Sequence, residues 1–105
     1  MNSTIAHPPV ELEHLLRQAG GSEKLAREVL QMFAEGTVGD FARLRQVNGA
    51  ERREAAHLIL GSARAIGARA VASAAAAVEA GDQNLSRLEA ALAEARTFIA
   101  AYLAG

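Results

Sequence analysis

The run Arg53-Glu-Ala-Ala-His57-Leu-Ile-Leu-Gly61-Ser-Ala-Arg-Ala-Ile-Gly67-Ala68 sets a single histidine on the polar side of a helix that stops at Gly67. With His57 at 0° and about 100° per residue, Arg64 falls near −20°, Arg53 near −40°, Gly61 near +40° and Glu54 near +60°. Ala55, Ile59, Ser62 and Ile66 fall on the opposite side. The spacing predicts that this second set packs inward, with the Ser62 hydroxyl bonded to a backbone carbonyl, while His57 faces solvent between two arginines.

Gly61 adds a second signal, because glycine inside a helix costs about 1 kcal/mol relative to alanine. Helical side chains lean toward the N-terminus, so a side chain at position 61 is expected to lie against the His57 imidazole one turn earlier. Glycine leaves that ring open to a partner. The alternative is that Gly61 lets a neighbouring helix approach, although its angle is on the exposed side. A solitary surface histidine is ordinarily solvated, and Arg53 and Arg64 alone read as solvated charges pairing with Glu54 or other acids. It is His57 together with Gly61 and the order of the helices that marks a site.

Outward from this helix, the punctuation divides the chain into six helical segments with no strand signal. Residues 1–7 read as a flexible tail. Pro8-Pro9 can start a short first helix through Leu12, Leu15 and Leu16 to Gly20-Gly21, and Ser22 caps a second that carries Leu25, Val29, Leu30 and Phe33 as far as Gly36. Thr37 with Asp40 three residues on resembles a capping box for a third helix, whose expected inner side is Val38, Phe41, Leu44 and Val47, ending at Asn48-Gly49. The His57 helix is fourth. A fifth runs from about Ala68 to Ala80 with Val71, Ala74, Ala75 and Val78, and a sixth carries Leu85, Leu88, Leu92, Ala95, Ile99 and Tyr102. Short loops favour antiparallel neighbours. The expected fold is therefore an all-α, up-down antiparallel four-helix bundle over residues 8–105, with one or two additional short helices covering one end. The small side chains of residues 72–77 suit a tight helix interface.

Composition narrows the function. A chain of 105 residues that is 50% hydrophobic has room for one domain with one modest core. There is no cysteine, which excludes disulfides, thiolate metal sites and cysteine catalysis. A formal net charge of −1 gives no global field for nucleic acid. No segment approaches the ~20 apolar residues of a membrane span, and the N-terminus lacks a signal-peptide pattern, so the expected location is the cytoplasm. No Gly-rich phosphate loop is present for an ATP site. No metal site is expected: Glu11-x-x-His14 has ligand spacing but stands alone, His14 reads as an ordinary helix position, and His7 belongs to the tail.

The series His57-x-x-x-Gly61-Ser62, then Gly67-Ala68 and an alanine-rich helix closing on Val78-Glu79, resembles the histidine-containing phosphotransfer (HPt) domain family of multistep phosphorelays. The resemblance spans roughly residues 10 to 103, with a Leu25-to-Phe33 helix before the motif and a long final helix after it. It departs at position 60, where the family usually has lysine and this chain has Leu60. The resemblance implies that His57 accepts a phosphoryl group from a phosphoaspartate and passes it to a response regulator. An ordinary imidazole, with a pKa of about 6.5, is largely neutral at pH 7 and so able to attack phosphorus. The implied partners are receiver domains of hybrid histidine kinases and of response regulators. They would supply Mg²⁺, and this chain would bind no cofactor. Arg64, leaning back toward His57, is the expected cation beside the phosphoryl oxygens, with Arg53 a poorer candidate and Gly61 giving access. Leu58 and Leu60 are expected to border the ring and, with exposed parts of the second helix, to dock the partner. A monomer that begins at Met1 as a free-standing protein is the expected form. The competing expectation is a helical adapter that docks response regulators without transferring phosphate, marked by the missing lysine.

Overall fold

A computed structural model describes residues 8–105; the tail expected over residues 1–7 lies outside the described residues. Five helices follow one another: α1 (Leu12–Gln18), α2 (Glu23–Gln46), α3 (Gly49–Ile66), α4 (Arg69–Glu79) and α5 (Ser86–Ala104), with no strand among the described residues. Their inward side chains join in one hydrophobic core.

Helices two and three of the sequence reading are one helix of 24 residues, α2. The Ser22 hydroxyl accepts from the Leu25 amide at 3.1 Å and starts it as expected. Gly36 does not end it. Buried Leu30, Phe33, Thr37, Phe41 and Leu44 recur at spacings of three and four across the supposed boundary, so a single stripe packs on the core. Burial of that stripe outweighs the penalty of roughly 1 kcal/mol for each of Gly36 and Gly39, both of which hold ordinary right-handed backbone. Thr37 is not a cap. It is buried, and its hydroxyl donates to the Phe33 carbonyl one turn back at 2.7 Å. Val38, expected inside, is 56% exposed, and Leu25 is exposed as well, because Ala26 and Thr37 occupy the inward line instead.

Three helix ends close in the same way, with the two amides after the helix folding back on its last carbonyls. The Gly20 and Gly21 amides donate to Arg17 and Leu16, those of Gly67 and Ala68 to Arg64 and Ala63, and those of Gly81 and Asp82 to Val78 and Ala77. Each needs a left-handed residue, supplied by Gly20, Gly67 and Gly81.

Gly67 also receives α1. A Cβ at position 67 would stand 2.9 Å from the Glu11 Cβ and 3.3 Å from the His14 ring. The Glu11 amide donates to the Gly67 carbonyl at 3.1 Å, and the Glu11 carboxylate pairs with Arg69 at 2.9 Å. His14 Nε2–H donates to the Arg64 carbonyl at 3.1 Å, since a carbonyl only accepts. These contacts correct two expectations. The first helix begins at Leu12 rather than at Pro8-Pro9, because residues 8–11 run as an irregular approach to Gly67 with Val10 buried. His14 is a tie between α1 and the end of α3, not an ordinary helix position.

Packing runs round a ring: α2 lies on α3, α3 most extensively on α4, α4 on α5, and α5 back on α2. Helices opposite one another in the ring do not bring their backbones close, and α1 rests against α3 and α2. Arg27 fixes the closing contact, donating to the Tyr102 and Leu103 carbonyls at 3.4 and 2.6 Å with its guanidinium over the Tyr102 ring. None of the helices is long and apolar enough to cross a membrane.

Two glycine substitutions of opposite sign test this account by thermal unfolding. Gly36→Ala should raise Tm by roughly 4–8 °C, since the position is mid-helix with open space over it. Gly67→Ala should lower Tm by roughly 4–16 °C, because its φ of 72° and the nearby Glu11 both oppose a side chain. A fall for Gly36→Ala would restore the break at Gly36.

Candidate functional site

The buried arc of α3 comprises Ala55, Ala56, Ile59, Leu60, Ala63 and Ile66. On the wheel it runs from about +160° through 180° to about −60°. Its centre lies near −130°, so the helix is turned about 50° from the orientation expected of an inward stripe directly opposite His57. Two expectations fail for this reason. Leu60 is only 4% exposed and belongs to the core rather than to a docking face. Ser62, near +140°, is exposed rather than a core hydroxyl. Arg53, Glu54, His57, Leu58, Gly61 and Arg64 all lie on the exposed side, where the sequence puts them.

The turn of α3 also brings His57 to the edge of the α4 contact. Alanines 74 and 75 are buried there, and their small side chains admit close approach of the two helices. Glu79, the last residue of α4, is thereby carried to the imidazole. Its Oε2 is 2.8 Å from His57 Nδ1. A carboxylate can only accept, so Nδ1 carries the proton and donates it. In the neutral ring Nε2 is then the nitrogen with the free lone pair. The His57 side chain is 66% exposed and Glu79 is its one polar partner among the described residues, so Nε2 is available to an external electrophile.

This arrangement has the logic of a carboxylate orienting a histidine: it fixes the tautomer, fixes the ring and stabilises positive charge developing on it. Glu79 is the site residue that reading the sequence for α3 alone does not find. The signal was present in the closing pair Val78-Glu79, but its contact with His57 depends on how closely α4 approaches, which helical periodicity does not encode.

Gly61 has nothing within 4 Å of where its Cβ would stand. No neighbouring helix requires a glycine there, so the close-approach alternative falls. The same measurement corrects the expected contact with the ring: a Cβ at 61 alone would not touch His57, and only a longer side chain could reach over it. Arg53 and Arg64 are exposed and form no ion pair among the described residues. The Arg64 carbonyl takes the His14 hydrogen bond, so the backbone beneath that side chain is held.

Two large apolar side chains are exposed on α3 and α2. Leu58 is 55% exposed, and on the wheel it lies about 20° from Glu51, which pairs with Arg43 of α2 at 3.9 Å. Leu58 therefore borders the outer groove between α3 and α2. Met32 is 71% exposed and lies about 20° from Arg43 on α2, with Gly36 on the same line, so it borders the groove from the other side. No group of three or more His, Asp or Glu able to hold a metal ion occurs among the described residues.

Compared with known proteins, the chain matches no family model, no curated protein and no solved structure.

Proposed function

We propose that this chain is a histidine phosphotransfer protein of a multistep phosphorelay, with the α2 to α5 ring acting as an up-down antiparallel four-helix bundle. The observation that carries this reading is the exposed His57 whose Nδ1–H is held by Glu79, leaving Nε2 as a nucleophile in open space above Gly61. Two-residue connections at 47–48 and 67–68 support the antiparallel arrangement of α2, α3 and α4. The resemblance of the His57 to Glu79 series to the HPt family supplies the substrate class.

On this reading Nε2 attacks the phosphorus of a phosphoaspartate on a receiver domain. The N–P bond forms as the bond from phosphorus to the aspartyl oxygen breaks, and the electron pair leaves with the aspartate carboxylate. The ring keeps its Nδ1 proton and becomes positively charged, and Glu79 stabilises it. A second receiver aspartate reverses the exchange. Mg²⁺ and most of the charge neutralisation come from the receiver; Arg64, and less directly Arg53, offer guanidinium groups to the phosphoryl oxygens from this side. The groove bordered by Leu58, Met32 and Gly36 is the docking strip, in place of the buried Leu60. The protein acts as a cytoplasmic monomer in this scheme.

Labelling from phosphorylated receiver domains tests the reading. Acid-labile label that is stable to base once the protein is unfolded should appear on the parent and vanish in His57→Gln; equal labelling of the two overturns the proposal. Glu79→Ala should take up label about tenfold to a hundredfold more slowly, measured by rapid quench. Gly61→Leu should keep or raise Tm, since the space is open and leucine favours a helix, yet cut labelling at least about tenfold by covering the ring. Leu60→Lys should lose roughly 2–4 kcal/mol of stability in chemical denaturation, because its site is core, and gain no labelling rate.

A further inference from the structure

The His57–Glu79 contact constrains the phosphorylated state as well as the free ring. Phosphorylation at Nε2 leaves Nδ1 as the only ring nitrogen that can gain or lose a proton. In this fold Nδ1 sits 2.8 Å from a carboxylate oxygen at the end of α4. We propose that Glu79 sets the lifetime of the phosphohistidine by accepting the Nδ1 hydrogen bond and so holding the proton there, which keeps the ring a good leaving group. The inference builds on the phosphorelay reading and assigns Glu79 as a positioning residue that acts through the ring.

The chemistry is that of the leaving group. When the N–P bond breaks, its electron pair returns to Nε2. If Nδ1 is protonated, the departing group is a neutral imidazole, and the acceptor oxygen bonds to phosphorus with no further proton needed on the ring. Should Nδ1 be bare, the departing group is an imidazolate anion, a far poorer one, and transfer to water or carboxylate slows. For hydrolysis the oxygen of water bonds to phosphorus, its surplus proton passes to solvent, and inorganic phosphate and the Nδ1–H imidazole result. The Glu79 carboxylate accepts from Nδ1 and holds its proton in place, so the ring departs as neutral imidazole. Other charges on the site helix are Arg53 and Arg64, which oppose a positive ring, and Glu54, which favours it from the exposed side; α4 contributes Glu79, and no other described element pairs with the ring. Glu79 alone touches Nδ1. Its side chain is only partly exposed, so solvent screens it less than it screens Glu54.

The test loads His57 with phosphoramidate, a small-molecule phosphoryl donor, and follows loss of phosphate by ³¹P nuclear magnetic resonance from pH 5 to pH 10. Parent, Glu79→Gln and Glu54→Gln proteins are compared. Glu79→Gln keeps a hydrogen-bond acceptor without the charge, and Glu54→Gln removes a nearby charge that does not touch the ring. At alkaline pH the label should last several times longer in Glu79→Gln than in the parent, while Glu54→Gln stays close to the parent. Equal alkaline lifetimes for parent and Glu79→Gln, or equal lengthening in the two variants, overturn the assignment. Because loading needs no receiver, the two ideas separate. Transfer from receivers with alkaline lifetimes unchanged by Glu79→Gln removes this inference and leaves the phosphorelay reading, whereas a Glu79-dependent lifetime in a protein that no receiver labels does the reverse.

Discussion

Close contact between α3 and α4 determines what the exposed side of this protein can do. Both helices bury small residues, Ala56 and Ala63 on one and Ala74 and Ala75 on the other, which permits close approach. Larger side chains would hold the axes apart, and the last turn of α4 would no longer reach the imidazole. The alanine run is thus more than filler. It lets Glu79 come within hydrogen-bond reach of a histidine that would otherwise be solvated, and that bond defines the tautomer. The remaining helices serve this pair, with α2 and α5 closing the ring behind it and α1 bracing the turn that joins α3 to α4.

Much of this was legible in the sequence. The stripe Val71, Ala74, Ala75, Val78 is buried as read, and of the last helix's stripe Leu88, Leu92, Ala95 and Ile99 are buried while Leu85 and Tyr102 at its ends are half-buried, because each helix has one inward face and clear stops. The Ser22 cap and the stop at Gly67 stand for the same reason: each is decided within one turn of backbone. What failed was decided elsewhere. Gly36 followed by Thr37 has the local chemistry of a helix end and a new start, but the apolar stripe passing through it packs on one continuous surface, and long-range burial wins. Leu60 was misplaced by an error in the direction of a whole helix. A wheel gives relative angles only, and the absolute facing of α3 is set by α2 and α4 together.

The candidate site divides along the same line. His57, Gly61, Arg53, Arg64 and Leu58 belong to one helix, and one helix's periodicity suffices to place them on its open side. Glu79 is twenty-two residues away and becomes a neighbour only through the tertiary approach of α4. The departure at position 60 also changes meaning. An apolar residue there is what the core requires in this chain, since Leu60 is buried.

The bracing helix α1 has a character of its own. It is seven residues long with Leu15 its one fully buried side chain, too short to persist undocked. Its principal anchors are carbonyls of Arg64 and Gly67, which are positioned only after α3 has ended in its left-handed turn. Docking of α1 is therefore a late event in folding, contingent on a finished α3 terminus. In the native state it forms the segment that detaches first, and its amides should exchange with solvent ahead of those of the four-helix ring, through openings that leave His57 and Glu79 in register.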